Sequence, residues 1–127
     1  MCEEMLNGGR LKNNEYVFIW NKCGFKKVAF NNICFLEAAR SYCEIHFNDG
    51  KTFLISMSMS ETFVFFPKEE FIRVHRSYII NLKYVEELIG NEFTLNTGVK
   101  IPVGREYRQT VYQCLLFIGT KNHKYGK

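Results

Sequence analysis

The sequence predicts a mainly β fold with two packing helices in one domain. Three observations point there. Short apolar and aromatic runs recur along the chain, separated by Gly, Asn and Asp turn signals. Only two segments repeat apolar residues at helical spacing. The 127 residues, 46% hydrophobic and 16% aromatic, supply one real core and too little chain for two ordinary domains.

Taken in order, residues 1–14 are polar and Gly-rich and read as a flexible N-terminal tail. The domain itself is expected over 15–118. Residues 16–20 and 27–30 read as two short strands, with Gly24 permitting the turn between them. Strands at 33–38 and 42–47 follow, the second joined to 52–57 by Asn48-Asp49-Gly50-Lys51. Asp-Gly between alternating runs is a strong hairpin signal, because both central residues of the tight turn take positive φ. Cys43, Ile45 and Phe47 then share the core face, and Tyr42, Glu44 and His46 the other.

Ser58-Met59-Ser60-Glu61 is a capping box, and Met59, Phe63 and Phe66 fall at helical spacing until Pro67 ends the segment. This Met and Phe stripe reads as core. Residues 71–74 form a strand, and 85–89 and 92–95 a hairpin across Gly90-Asn91. Residues 99–103 return after Asn96-Thr97-Gly98, with Pro102 marking an edge or a strand end. Residues 105–118 are predicted helical, with Tyr107, Val111, Leu115 and Ile118 on one side. A basic C-terminal tail, 119–127, completes the chain.

Composition narrows the functional classes. There is no run of about 18 apolar residues, and Met1-Cys2-Glu3-Glu4 lacks the basic start of a secretory signal. A cytoplasmic protein with no membrane insertion is expected. Five cysteines, at 2, 23, 34, 43 and 114, form no CxxC pair and are odd in number. Reduced, mostly buried thiols are expected, and no metal or other cofactor. An enzyme reading would pair Cys43 or Cys34 with His46 or His75. Cys43 and His46 fall on opposite faces of their strand, and no mechanism-bearing spacing appears elsewhere, so no enzyme is predicted.

The net charge of +4 is modest but unevenly spread. From Thr97 onward the cations are Lys100, Arg105, Arg108, Lys121, Lys124 and Lys127, against one acid, Glu106. Such a basic half is an electrostatic footprint for phosphate. Donors also cluster at corners. His75, Arg76, Ser77 and Tyr78 follow a short strand, and Arg is well suited to bidentate bonding of guanine or to phosphate. His75 alone reads as a half-buried residue orienting the turn, and Asn81 as a cap for the turn at 82–86. Arg105, in the first turn of the last helix, opposes the helix dipole unless an anion offsets it, and Gly104 lets backbone approach closely. Arg108 lies one turn on, and Arg40, Ser41 and Tyr42 form a third corner.

The run Phe71-Ile72-Arg73-Val74-His75-Arg76-Ser77-Tyr78-Ile79-Ile80-Asn81, followed by Ile101-Pro102-Val103-Gly104-Arg105-Glu106-Tyr107, closely resembles the signature of the LytTR family of bacterial DNA-binding domains. Phe35-Leu36-Glu37-Ala38 resembles a further family segment, and the resemblance covers roughly 33–116. It implies an elongated arrangement of antiparallel β-sheets with the three corners on one side. It implies sequence-specific binding of double-stranded DNA by a transcription regulator of the response-regulator output type. The contacts implied are Arg40, Ser41, Tyr42, His75, Arg76, Ser77, Tyr78, Lys100, Arg105, Tyr107 and Arg108.

The family also implies directly repeated half-sites and self-association on DNA, and a sensor or inhibitor protein is expected as a further partner. Gly104 departs from the pattern, since most members carry Ser there. This chain has no room for a receiver, so a free-standing regulator or a piece of a longer one is expected. Two other readings stay open. One is a β-rich protein–protein interaction module built on the many aromatics. The other is RNA binding, although Tyr42, Tyr78 and Tyr107 lack the spacing of a base-stacking sheet.

Overall fold

In the computed structural model, which describes residues 15–119, ten short strands form three antiparallel sheets. β1 (Tyr16–Asn21) and β2 (Gly24–Ala29) make a separate hairpin. β3 (Ile33–Ala39), β4 (Tyr42–Phe47), β5 (Thr52–Ile55), β6 (Phe71–His75) and β7 (Tyr78–Asn81) form the central sheet, in the order β5-β4-β3-β7-β6. β8 (Val85–Ile89), β9 (Glu92–Leu95) and β10 (Lys100–Pro102) form the third. Helix α1 (Met59–Phe63) precedes β6, and α2 (Arg108–Cys114) follows a 3₁₀ turn at Arg105–Tyr107. The N-terminal tail expected at 1–14, and all of the expected basic tail except Gly119, lie outside the described residues.

The central sheet is covered on both sides. Ile33, Leu36, Cys43, Ile45 and Ile79 face one core cluster, closed by Ile19 and Val28 of the hairpin and Met59 of α1. Cys34, Ile72, Val74 and Ile80 face the other, closed by Phe93, Leu95 and Ile101 of the third sheet and Val111 of α2. Each large side chain so buried contributes about 1.5–3 kcal/mol. Cys43 and Ile45 face the core as expected, with Phe47 packed beside them, while His46 lies on the other face against Phe35. The Cys43–His46 dyad is thereby ruled out by geometry.

Several local expectations are corrected. The first hairpin reverses at Lys22-Cys23, with Asn21 opposite Gly24 and φ of 63° at Lys22, so Gly24 is a strand residue. The β4–β5 connection is a three-residue loop: Gly50 N–H bonds Phe47 O at 3.0 Å and Phe47 N–H bonds Lys51 O at 2.9 Å. Only Gly50 has positive φ there, 88°, because a type I turn closed by one left-handed residue replaces the two-residue turn. Strand β7 carries no alternation signal, since Ile79 and Ile80 are buried on opposite faces.

The last helix stops at Cys114, and Leu115 is already extended. Tyr107, Val111 and Leu115 do pack into the second cluster. Leu116 and Ile118 are 90% and 92% exposed, so no packing sustains helix beyond Leu115. Of the four thiols among the described residues, Cys34 and Cys43 are buried but Cys23 and Cys114 are exposed, so the expectation of mostly buried cysteines does not hold there.

The capping box is present in both directions. Glu61 N–H donates to Ser58 Oγ, and Ser58 N–H to Glu61 Oε1, each at 3.1 Å. Asn81 caps the 3₁₀ turn at Leu82–Tyr84 by accepting from Lys83 N–H at 2.9 Å. Its side-chain amide also donates to Ile33 O at 2.9 Å, which ties the end of β7 to the start of β3.

Candidate nucleic-acid interface

Sheet topology brings the predicted corners together. Because β3 pairs antiparallel with β7, the end of β3 lies beside the start of β7, and Ala38 N–H bonds Ser77 O at 2.9 Å. The Arg40-Ser41 turn and the Arg76-Ser77 turn therefore share one end of the central sheet. The third corner joins them through Gly104, whose N–H bonds Val74 O at 2.7 Å. A Cβ on Gly104 would lie 3.3 Å from the His75 ring and 3.3 Å from the Tyr107 ring. The glycine thus accommodates side chains of this protein, and its φ of −66° imposes no special conformation.

Each corner has its own local cause. Arg40 and Ser41 link the paired residues Ala39 and Tyr42, and Arg40 is left-handed, with φ of 62°. Such backbone costs a residue bearing a Cβ about 1–2 kcal/mol. Arg76 and Ser77 link His75 and Tyr78 beside a bulge in β6. Ser77 N–H donates to His75 Nδ1 at 3.0 Å, so the ring orients the turn and its Nε2 carries the proton. Arg40, Ser41, Tyr42, Arg76, Arg105 and Arg108 are exposed, while His75, Ser77, Tyr78 and Tyr107 are half-buried.

Arg73 was not singled out from the sequence, yet it braces the site. Its Nη2 donates to Arg76 O at 2.6 Å, its Nε to His75 O at 3.3 Å, and its Nη1 to Ser60 Oγ at 2.9 Å. Its guanidinium also lies 5.8 Å from the centre of the Tyr107 ring. One planar fork thus links α1, the β6–β7 turn and the corner before α2. The only local hint was an Arg inside an apolar strand.

Other predicted residues sit differently. Arg105 opens the three-residue 3₁₀ turn that runs directly into the seven-residue α2, at the N-terminal end of the last helical segment. Lys100 is exposed on β10 opposite Thr94, in the third sheet. Tyr78 and Tyr107 also pack against the second core cluster. Burial first, and then the Glu37 carboxylate, raises the Tyr78 phenol above its usual range, so it stays a neutral donor at physiological pH. A separate feature is the aromatic outer face of the first hairpin, where Phe18, Trp20 and Phe25 are 59%, 56% and 66% exposed. No described helix is long and apolar enough to cross a membrane.

Comparison with known proteins bears on these corners. The family model described as the LytTr DNA-binding domain matches residues 24–116. The sensory transduction protein LytT of Bacillus subtilis (strain 168) is 36% identical over 74 residues. That match takes in 51% of this chain and 31% of the relative, so the chain spans less than a third of it. A solved LytTr DNA-binding domain from Bacillus cereus superimposes with a TM-score of 0.72 at 24% identity, over 83% of this chain and 100% of that one. This last likeness is one of fold.

Proposed function

The chain belongs to the LytTr DNA-binding domain family, and from that premise we propose that it binds double-stranded DNA sequence-specifically as a regulator of transcription. Arg76 and Arg105 are the leading base-reading groups in this reading, because both are exposed forked donors at adjoining corners. Arg40, Ser41, Tyr42, Ser77, Tyr78, Lys100, Tyr107 and Arg108 supply phosphate or flanking contacts, and His75 orients the turn between them. The observation that carries the reading is the pair of backbone bonds, Ala38 to Ser77 and Gly104 to Val74, that gathers three cation-bearing corners at one end of the sheet.

One small domain on one short site gains little specificity against a genome, so two copies on directly repeated half-sites are proposed, about 10–11 base pairs apart. Selection of bound duplexes from a random pool tests both statements. A recovered direct repeat supports them. A pool that stays random under selection removes the sequence-specific reading, and a palindrome removes the repeat.

The exposed aromatic face of the first hairpin favours a second reading, a protein-contact module acting through Phe18, Trp20 and Phe25. Salt separates the two. Phosphate contacts weaken steeply as salt rises, whereas an aromatic interface responds little.

A further inference from the structure

Glu37 and Glu44 are direct cross-strand partners on β3 and β4. Like charges placed so are destabilising unless a cation lies between them. His46 shares that face, two residues along β4. Its Nε2 lies 3.0 Å from Glu37 Oε1 and 3.6 Å from Glu44 Oε1, and the three donor atoms all fall within 4.8 Å of one another. Ligand atoms on a cation with bonds of about 2.1 Å stand roughly 3.0–3.4 Å apart, so the trio needs only small side-chain adjustments to close on one ion.

The surroundings fix these groups. The His46 ring stacks on Phe35, with centroids 4.1 Å apart and planes 8° apart, which sets the direction of Nε2. The second carboxylate oxygen of Glu37 lies 3.5 Å from the Tyr78 hydroxyl, which donates to it. Metal ligands are commonly oriented by outer partners of this kind. The side chains of His46, Glu37 and Glu44 are 22%, 36% and 35% exposed, leaving one open side for an ion and its waters.

We infer that Glu37, Glu44 and His46 form a binding site for a divalent transition-metal ion, zinc being the best fit to one imidazole and two carboxylates. Charge supports a dication. With a neutral imidazole, two carboxylates and a dication sum to zero, whereas an imidazolium alone leaves the pair one charge short. The imidazole ligand argues for zinc, copper, iron or nickel over calcium or magnesium, which take oxygen donors. This site goes beyond DNA binding and stands whether or not that reading holds.

The test is titration of the full chain with zinc chloride by calorimetry, and with cobalt(II) by visible absorption. Cys23 and Cys114, the exposed thiols among the described residues, are replaced by Ser in every sample together with Cys2, so that none of them competes. One equivalent should bind, with the spectrum of a nitrogen and oxygen ligand set and no thiolate charge-transfer band. Glu44→Gln and His46→Gln should each weaken binding at least about tenfold, on the scale of losing even an outer partner. Glu44→Gln should also unfold no more easily than the parent without metal, since it relieves the repulsion, while losing the rise in Tm that zinc confers. Failure of the parent to bind one equivalent overturns the inference. So does undiminished binding in either variant.

Discussion

Arg73 Nη2 donates to the backbone carbonyl of Arg76 at 2.6 Å, so one arginine holds the turn from which another reaches outward. Replacing Arg73 with Lys keeps the charge and loses the fork that reaches Ser60, His75 and Arg76 together. About 1 kcal/mol of stability should go, since the carbonyls concerned are near solvent. DNA affinity should fall about fivefold although Arg73 is not among the proposed DNA contacts, an expectation scaled from the same lost interaction. Urea unfolding beside binding to the selected duplex checks both. Unchanged affinity with lowered stability would show that the brace serves the fold alone.

Arg76 and Arg105 are exposed and their side chains make no hydrogen bond or ion pair among the described residues, so their replacement should leave unfolding unaltered. Arg76→Ala or Arg105→Ala should nevertheless cost about 1–3 kcal/mol at a cognate site and relax the preferred base there. Repeating the duplex selection with each variant reads this directly. An unchanged consensus from Arg76→Ala would falsify its base-reading role.

Arg40 combines a left-handed backbone with an exposed cation. Glycine at this position removes the steric cost but adds chain entropy to the unfolded state. The net expectation is a gain of about 0.5 kcal/mol in stability. DNA affinity should fall at the same time, with a salt dependence shallower by about one counterion. A more stable variant that binds as before would assign the strain to the hairpin and not to DNA contact.

Cys43 offers a pH prediction with a definite sign. Burial pushes its thiol from 9.0 up to about 11, the Glu44 charge adds to that rise, and a Thr62 hydrogen bond opposes it. The folded value lies above the unfolded one, so the neutral thiol stabilises the fold below pH 9, and that contribution is lost as pH climbs from about 9 towards 11. The loss should approach about 2 kcal/mol. Cys43→Ala, whatever its overall stability, should show a shallower decline over the same range. Equal declines in the two proteins would place the alkaline loss elsewhere, with Tyr78, Tyr84 and Cys34, all raised first by burial, as the remaining contributors.

Short-range signals were the legible ones. The Ser58–Glu61 box and the Gly90-Asn91 hairpin each depend on residues a few positions apart, and both appear as read. Arg73 was opaque because its partners, Ser60 and the Tyr107 ring, come from distant segments that only the packed sheet assembles. The end of α2 was misread because spacing placed Ile118 on a core face where the protein offers no core. The corner residues were visible through composition and the family signature, which also implied that the three corners lie on one side. The main-chain bonds between them needed the β3–β7 pairing, which no local pattern encodes.

Tight turns at strand ends form the proposed interface, and each is cross-bonded by main chain before any ligand arrives. Little conformational freedom is then left for a duplex to remove, apart from the rotamers of exposed arginines at about 0.5–1.5 kcal/mol each. Adaptation to different operators must fall on those long side chains and on the DNA's own deformability, with the scaffold acting as a fixed template for both.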